Sequence, residues 1–485
     1  MSSDDSDDNS VNPYQSPPPT SGDVPPSEVP RIEQPGEVVE PIDTHAAEHA
    51  HLPPLMRDWA FWGMNITQFL GAFNDNLFKQ MILLIGAGMA ARAAEKNAIA
   101  EEAISRDLQG VATIVFSLPF ILFSGLAGYL SDRYRKRPII VASKVAEIVI
   151  MGLGLVAFAL YDHLGYTGLM AVLFLMGMQS AFFGPGKYGI LPEMLRAKDL
   201  PWANGTMLMF TFFAIIFGTY TGGALKDAAE AAGGGGIQSV SLAVIACVLI
   251  AALGTGTSLL IRSTPAAMPG MPLKPDALFI PMPMWRLMGR DRTLTIALLA
   301  SSLFWMVGGI IIQVVNALGK TQFQRSDQET SLLAAITSVG IAVGAVIAGK
   351  LSGGKVDFRI VRWGAWGIVA GLLLLSCPGP GADRHLLGYY GSLPLLVALG
   401  IFAGMYAIPL QVFIQTRPPD DLKGRMIATL NIINFIAIML SGVVYTTFTQ
   451  LVAALGWPPA SMAAYTALLI LPVLYVYRHK AGPEG

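Results

Sequence analysis

The sequence has 485 residues, of which 53% are hydrophobic and only 13% are charged, and its formal net charge is −1. This composition excludes a soluble domain and predicts a protein that crosses a membrane many times. Its two cysteines, Cys247 and Cys377, lie in apolar stretches. They are too few for a disulfide framework or a cysteine metal site, so we interpret them as packing residues.

The first 57 residues differ from the rest, because they are rich in Ser, Asp and Pro. Such a segment buries too little apolar surface to fold alone, so 1–57 is predicted to be a disordered cytoplasmic tail. It carries eleven acidic residues against Arg31 and Arg57, a net charge of −9, which leaves +8 for the membrane portion. We expect no cleavable signal peptide, because no basic segment followed by a short apolar stretch and a cleavage site opens the chain.

Apolar stretches long enough to cross the roughly 30 Å hydrocarbon core recur twelve times along the chain. A Pro-rich and Met-rich linker at 266–292 separates them into two sets of six. The sequence therefore predicts an all-α polytopic membrane protein with twelve transmembrane helices in two six-helix bundles, at 58–265 and 293–480. The predicted spans lie near 59–90, 108–131, 138–161, 167–189, 203–225, 237–261, 293–318, 331–351, 363–377, 392–414, 426–451 and 460–477.

Basic residues indicate the orientation, since loops rich in Lys and Arg stay in the cytoplasm. If the N terminus is cytoplasmic, twenty Lys and Arg fall in cytoplasmic loops and the C-terminal segment, against seven on the opposite side. Both termini are therefore predicted to be cytoplasmic.

The first span contains the polar stretch "GAFNDNLFKQ" at 71–80. One predicted polar face carries five side chains, because their spacing repeats with the helix: Asn65, Gln68, Asp75, Asn76 and Lys79. A charge at the membrane centre costs about 2.5–3.5 kcal/mol, so this face is expected to line a hydrated cavity and to bind substrate or an ion. The alternative is that Asp75 and Lys79, four residues apart, only neutralise each other.

The fourth span ends in "GPGKYG" at 184–189, where Pro185 and three glycines are expected to interrupt the helix and Lys187 to project a cation. The alternative is that Lys187 extends to the cytoplasmic surface. Lys144 and Glu147 are predicted to form a structural pair. These charges all lie in the first half, whereas the second half offers uncharged polar groups, which suits a substrate with one polar and one apolar end. The uncharged groups are Gln313, Asn316, Asn431 and Asn434.

The loop "GYLSDRYRKRP" at 128–138 follows the second span. Gly128 is expected to permit close helix approach, and Asp132 to pair with basic groups as a latch that holds one conformation. The alternative is that any short cytoplasmic loop in a basic topology has this composition. The stretch "GKLSGGKVDFR" at 349–359 occupies the equivalent place in the second half and shares Gly-x-Leu-Ser. Repeated halves of this kind indicate a transporter.

The 128–138 loop resembles the signature of the major facilitator superfamily, although Tyr134 and Arg135 depart from it. The matching residues are Gly128, Asp132, Arg133, Lys136 and Arg137. Four further stretches resemble the bacterial lysophospholipid transporters: "QFLGAFNDNLFK", "FFGPGKYGILPEM", "SLFWMVGG" and "AGKLSG". The resemblance implies the major facilitator fold and secondary transport of lysophospholipid across the inner membrane by alternating access. It also implies that Asp75, Asn76 and Lys187 handle substrate or ion.

An enzyme is not expected, because no histidine is followed five residues later by Asp, as in the acyltransferase often coupled to such transporters, and no P-loop is present. We therefore predict no catalytic residues, cofactor, metal site or nucleic-acid partner. The expected partners are a lipid-like substrate, the membrane, sodium or a proton as coupling ion, and a separate acyltransferase. The main alternative is an exporter of drugs or small solutes, and a receptor or scaffold with a transporter fold is the third.

Overall fold

The structure is a computed structural model, and its regular elements are helical throughout the described part of the chain apart from a single bridge between Pro378 and His385. It describes residues 53–95, 107–234, 236–270, 272, 280, 282–352, 356–380, 385–419 and 423–477. The predicted tail therefore lies outside the described residues up to residue 52.

Thirteen helices of the described chain form the body of the protein, and we number them in chain order. The first six are α1 (Trp59–Glu95), α2 (Gln109–Arg133), α3 (Lys136–Ala159), α4 (Tyr161–Gly189), α5 (Leu200–Ala232) and α6 (Ser241–Ser258). The others are α7 (Arg292–Ala317), α8 (Asp327–Ser352), α9 (Phe358–Leu375), α10 (Gly388–Thr416), α11 (Lys423–Ala454), α12 (Met462–Leu468) and α13 (Leu471–Val476). Short helical segments lie at Leu55–Arg57, Leu191–Met194, Ala197–Asp199, Ile237–Val240, Met282–Arg290, Leu318–Gln322 and Pro459–Ser461.

Each predicted span coincides with one of these helices, except that the last comprises the consecutive helices α12 and α13. The all-α, polytopic fold class is thus confirmed. Eleven helical segments of the described chain are long and apolar enough to cross a membrane, and α1 is not among them. Its 37 residues are ample in length, but the polar stretch at 71–80 lowers its average apolarity.

The path of α4 corrects the predicted interruption at 184–186. The helix continues through Pro185 and ends at Gly189. Proline is tolerated in membrane helices because neighbouring groups satisfy the backbone that it leaves unbonded. The break lies near the other end, where Gly165 has φ 57° and ψ −161°. A positive φ is readily adopted by glycine, so Gly165 is the residue that allows this kink.

The two halves have separate apolar cores. One cluster is built from first-half residues, including Leu77, Phe78 and Met151, and a second is built from residues 284–477, including Leu298 and Tyr406. Large apolar side chains on the outside of the helices remain exposed, among them Leu253 on α6, at 63% exposure. Such a surface fits a lipid environment, since exposed apolar area on this scale is costly in water.

Two segments assigned to the tail and linker contact these cores. Leu55 is buried with the apolar residues at the start of α1, and Asp58 caps α1 by accepting a hydrogen bond from Ala60 N at 2.9 Å. Met284 and Met288, on the short helix Met282–Arg290, are buried in the second-half core. Ordered packing therefore begins before residue 58 and resumes before residue 293.

The closest helix contact in the second bundle joins α8 to α10 through two facing Gly-xxx-Gly motifs. A Cβ atom built on Gly344 would lie 2.0 Å from the carbonyl oxygen of Ile401, and one built on Gly400 would lie 2.1 Å from that of Thr337. The partner glycines Gly340 and Gly404 are equally crowded. Small residues at this spacing let membrane helices pack backbone against backbone.

We predict that Gly344→Ala destabilises the protein by about 1–3 kcal/mol, the usual cost of overpacking. The measurement is the thermal unfolding midpoint of the purified protein in detergent. Gly349→Ala, on the same helix with no atom within 4 Å of its added methyl group, is the control and should unfold at or above the wild-type temperature. Equal midpoints for the two variants would show that the α8–α10 contact is looser than described.

Candidate functional site

The predicted polar face of α1 is divided among three neighbouring helices. Gln68 is 3% exposed, and its Nε2 donates to Thr211 Oγ1 on α5 at 3.2 Å. Asn65 is fully buried, and its Nδ2 donates to the Phe61 carbonyl at 3.0 Å. Gln68 therefore joins α1 to α5, whereas Asn65 bonds within α1 and its Oδ1 is buried without a partner among the described residues. The structure does not bring them together with the half-buried residues Asp75 and Lys79.

Asp75 faces α4, where Ser180 Oγ donates to its Oδ2 at 2.6 Å. Its second oxygen, Oδ1, is buried and accepts no hydrogen bond from the described residues. A buried acceptor left unbonded is unusual and calls for an explanation, because a lost hydrogen bond to a charged group is expensive. Asp75 therefore has one oxygen bonded by Ser180 and one without a hydrogen-bond partner among the described residues.

Lys79 lies one helical turn from Asp75 but has a different partner. Its Nζ lies 5.1 Å from the centroid of the Phe116 ring on α2, a favourable cation–π distance. Among the described residues no carboxylate oxygen is within 4.0 Å of this ammonium group, so the contact ion pair of the alternative interpretation, between Asp75 and Lys79, is not formed here. Asn76 donates to the Ala72 carbonyl at 2.7 Å.

A buried ion pair lies near Asp75 in the first bundle. Lys144 and Glu147 are each 1% exposed and form the predicted ion pair. Asn74 Nδ2 donates to Glu147 Oε1 at 2.9 Å, and Gln179 Nε2 donates to the other oxygen at 3.4 Å. Gln179 precedes Ser180, so the groups that hold Asp75 and Glu147 are adjacent on α4.

Glycines make room for this pair. A Cβ atom on Gly71 of α1 would lie 2.9 Å from Lys144 Nζ, and one on Gly254 of α6 would lie 3.0 Å from Lys144 Cε. The Lys144 side chain extends from α3 and passes between α1 and α6, where Gly71 and Gly254 leave room for it. Sequence spacing identified Lys144 and Glu147, but it gave no signal for Ser180 or Gln179, whose contacts are tertiary.

Lys187 lies in the last turn of α4 and is half-buried. It follows Ser180 by seven residues, about 10 Å along the helix axis. Lys187 is therefore displaced from Asp75 toward the end of the bundle that carries Asp132.

The predicted latch residues make contacts within the first bundle. Lys136 is 3% exposed and pairs with Glu193, and Arg137 donates to the Leu259 carbonyl at 2.8 Å. The Arg133 guanidinium lies 5.7 Å from the centroid of the Tyr129 ring. These side chains tie the start of α3 to the ends of its neighbours.

Two latch positions need separate comment. A Cβ atom on Gly128 would have no atom within 4 Å, so the close helix approach expected there does not occur in this conformation. Asp132 accepts a hydrogen bond from Met268 N through its backbone carbonyl at 2.8 Å. That bond connects the loop to the segment that leads toward the second half.

At the opposite end of the bundle, a cluster of four uncharged polar side chains and one acid joins the two halves. Gln80 Nε2 donates to Asn316 Oδ1 at 2.9 Å, and Asn316 Nδ2 donates to Gln109 Oε1 at 3.0 Å. Tyr445 donates to Asp107 Oδ2 at 2.6 Å. We call these five residues the polar seal, because their buried contacts join α1 and α2 to α7 and α11.

Asp107 is the charged member of the polar seal and is 7% exposed. Burial raises the pKa of its carboxyl group, although hydrogen bonds from Tyr445 and Gln109 oppose that rise. Sequence analysis noted Asn316 but missed Asp107 and Tyr445. An acid immediately before an apolar span was the available signal for Asp107.

A second inter-bundle contact at the same end is ionic. Lys226 on α5 pairs with Asp327 at the start of α8, and Lys320 Nζ lies 2.8 Å from Asp327 Oδ1. Asp227 accepts from Asp327 N at 3.1 Å and from Gln328 N at 2.7 Å. The fifth span was predicted to end near 225, but the helix extends to Ala232, so Lys226 lies within α5 and is 4% exposed.

Known proteins resemble this chain at two levels, in sequence and in fold. The lysophospholipid transporter LplT of Klebsiella pneumoniae subsp. pneumoniae is 29% identical over 430 residues, covering 86% of this chain and 94% of the relative. LplT of Enterobacter sp. (strain 638) is 28% identical over 398 residues, covering 79% and 87%.

Solved transporters share the fold at low identity. The nucleoside transporter NupG superposes with a TM-score of 0.62 at 11% identity, covering 86% of this chain and 99% of that one. A D-xylose-proton symporter gives 0.59 at 17% identity, covering 87% and 99%. The family description "Major Facilitator Superfamily" matches residues 63–442. Because this match spans most of the sequence, the chain belongs to the major facilitator superfamily.

Proposed function

We propose that this transporter moves lysophospholipid across the inner membrane by alternating access. The observation that carries the proposal is the arrangement of Asp75 and Lys79, an acid and a base one turn apart that do not satisfy each other. The unbonded Asp75 oxygen suits an ammonium group or a coupling cation. Lys79, beside the Phe116 ring, suits a phosphate next to apolar surface.

The relatives named as lysophospholipid transporters support the same substrate class. A lipid with one chain has a charged headgroup and an apolar remainder, which matches a charged first bundle facing a second bundle whose core is apolar. In this proposal a sodium or proton gradient drives transport, and a separate acyltransferase uses the lipid that is delivered.

Orientation is part of the proposal, and it follows the distribution of Lys and Arg along the sequence. With both termini in the cytoplasm, Asp132 lies at the cytoplasmic end and the polar seal at the outer end. The conformation described here is then closed to the outside, and Asp75 would be reached from the cytoplasm or the bilayer.

The direct test is flux in vesicles reconstituted with the purified full-length protein. Labelled lysophosphatidylethanolamine should cross the bilayer in a protein-dependent manner when a sodium or proton gradient is imposed. A panel of water-soluble drugs and sugars measured in parallel tests the alternative function of a solute exporter. Transport of a soluble solute without lysophospholipid flux would reject the proposal.

Asp75→Asn and the double variant Asp75→Asn with Lys79→Gln are predicted to be equally inactive, at about one tenth of wild-type flux or less. If the two charges only neutralised each other, removing both would restore transport, because the burial cost would disappear with the pair. Flux at saturating lysophospholipid is the measurement. The double variant Asp199→Asn with Arg196→Gln removes another ion pair of the first half, separated by 2.8 Å, and should transport normally. If the Asp75 double variant recovered flux, Asp75 and Lys79 would form a structural pair and would not bind the substrate or ion.

Asp132→Asn is predicted to slow transport severely while the protein remains folded. The amide keeps the shape of the side chain but loses the charge that favours one conformation over another. Flux and size-exclusion elution of the same preparation separate transport from folding. Asp199→Asn, which removes an acid paired with Arg196 at 2.8 Å, is the control for charge loss at the same end. Normal flux in correctly folded Asp132→Asn would argue against the latch.

A further inference from the structure

A cavity of about 240 Å³ opens at the end of the molecule that carries the polar seal. The end of α1, helix α5 and the segment between α7 and α8 form its walls. Three cationic and three apolar side chains define its chemistry: Lys226, Lys320, Arg325, Leu84, Ile85 and Met89. We call it the Lys320 cavity. It is separate from the Asp75 site, because Ile85 follows Asp75 by ten residues, about 15 Å along α1.

Charged side chains of both signs line the Lys320 cavity. Asp327 and Glu230 also line it, so three cations face two carboxylates. Asp327 serves both lysines, and Glu230 Oε1 lies 2.8 Å from Lys226 Nζ. Glu329 pairs with Arg325 at 3.3 Å but does not form part of the cavity wall. Because each cation already has a carboxylate partner, an anion that entered the cavity would compete with these carboxylates.

Arg325 retains an unused donor at this cavity. Its Nη1 lies 3.3 Å from Glu329, and its guanidinium lies 4.8 Å from the centroid of the Tyr389 ring. Its Nε is buried and has no hydrogen-bond partner in the described chain. A guanidinium beside a tyrosine ring, with one nitrogen unpartnered in the described chain, offers further donors that a phosphate oxygen can accept.

The backbone beside Arg325 is strained as well. Gln324 lines the cavity and has φ 52°, a conformation that residues other than glycine rarely adopt. Strained residues of this kind cluster at ligand sites, where the surrounding structure maintains them. This observation is independent of the charges and concerns the same wall.

Size and wall chemistry limit the ligand. Sites for whole drug-sized molecules occupy about 300–1,000 Å³, so the Lys320 cavity holds a headgroup but not a complete lipid. Leu84, Ile85 and Met89 supply an apolar strip on one face of α1. A phosphate at the cations would leave the beginning of an acyl chain next to this strip.

We propose that the Lys320 cavity binds the phosphate ester of a lysophospholipid headgroup at the end of the transporter closed by the polar seal. Lys320 and Arg325 bind the phosphate oxygens, and the α1 strip contacts the glycerol and the first part of the chain. Asp327 pairs with Lys320, so the phosphate competes with Asp327 for that lysine. The lipid identity rests on the proposed function, whereas the phosphate chemistry does not.

The test is a local protection measurement on the full-length protein. Cys247 and Cys377 are replaced by Ala, and Met89→Cys places a thiol in the cavity wall. The alkylation rate of that thiol is measured with lysophosphatidylethanolamine, with glycerophosphoethanolamine, which lacks the chain, and with inorganic phosphate. We expect both headgroup compounds to slow alkylation several-fold, the lysolipid at the lower concentration.

Lys320→Gln and Arg325→Gln are tested separately in the same background, so that misfolding of one does not decide the result. Each should raise the concentration needed for half-protection by about tenfold. Arg359→Gln, which removes an exposed cation at the other end of the molecule, should leave protection unchanged. Protection by inorganic phosphate alone would overturn the lipid assignment, and no protection by any phosphate compound would overturn the site.

Flux measurements distinguish this inference from the proposed function. Protection without lysophospholipid flux would keep the phosphate site and reject the transport assignment. Flux without protection would keep the transport assignment and reject the site.

Discussion

The arrangement of the first bundle follows from one constraint, which is the presence of charged side chains on a helix at membrane depth. Asp75 and Lys79 each require a partner, because an unpaired charge at this depth costs about 2.5–3.5 kcal/mol. The protein supplies only part of what they need: one hydroxyl group to Asp75 and one aromatic ring to Lys79. Lys144 and Glu147, in contrast, are fully enclosed. The enclosed pair therefore differs from Asp75 and Lys79, whose bonding groups are only partly used by the described residues.

The two bundles differ in polarity and in packing. The first carries the charged groups and leaves some bonding capacity unused, whereas the second packs α8 on α10 so tightly that glycine is required. They meet through the polar seal and the Lys226–Asp327 pair, and also through apolar packing, since Phe120 of α2 stacks on Phe435 of α11 with ring centroids 3.8 Å apart. Polar contacts exchange for water at little net cost, since a typical hydrogen bond contributes only about 0.5–1.5 kcal/mol to stability. The polar part of this contact can therefore open and close more readily than an apolar core.

The sequence allowed the helices and the local pairs to be predicted, because both depend on spacing along one chain segment. Lys144 and Glu147 are three residues apart, so their pairing could be read directly. The partners of Asp75 and Lys79 could not be predicted from spacing, since Ser180 and Phe116 belong to other helices. Pro185 led to a wrong expectation, because neighbouring structure tolerates a proline that would break an isolated helix. Gly128 also led to a wrong expectation, because a glycine permits close helix contact but does not require it.

The polarity of α1 also affects how the protein is made. Each charged residue near the centre of a segment reduces its tendency to leave the translocon for lipid, so α1 alone is a poor membrane anchor. Its packing partners are α5 and α6, where Gly218 faces the Phe73 carbonyl, with a Cβ atom there only 2.5 Å from it. Those helices begin at residues 200 and 241, long after α1 has been synthesised. The first helix therefore becomes stable in the bilayer only when much of the first bundle has followed it out of the ribosome.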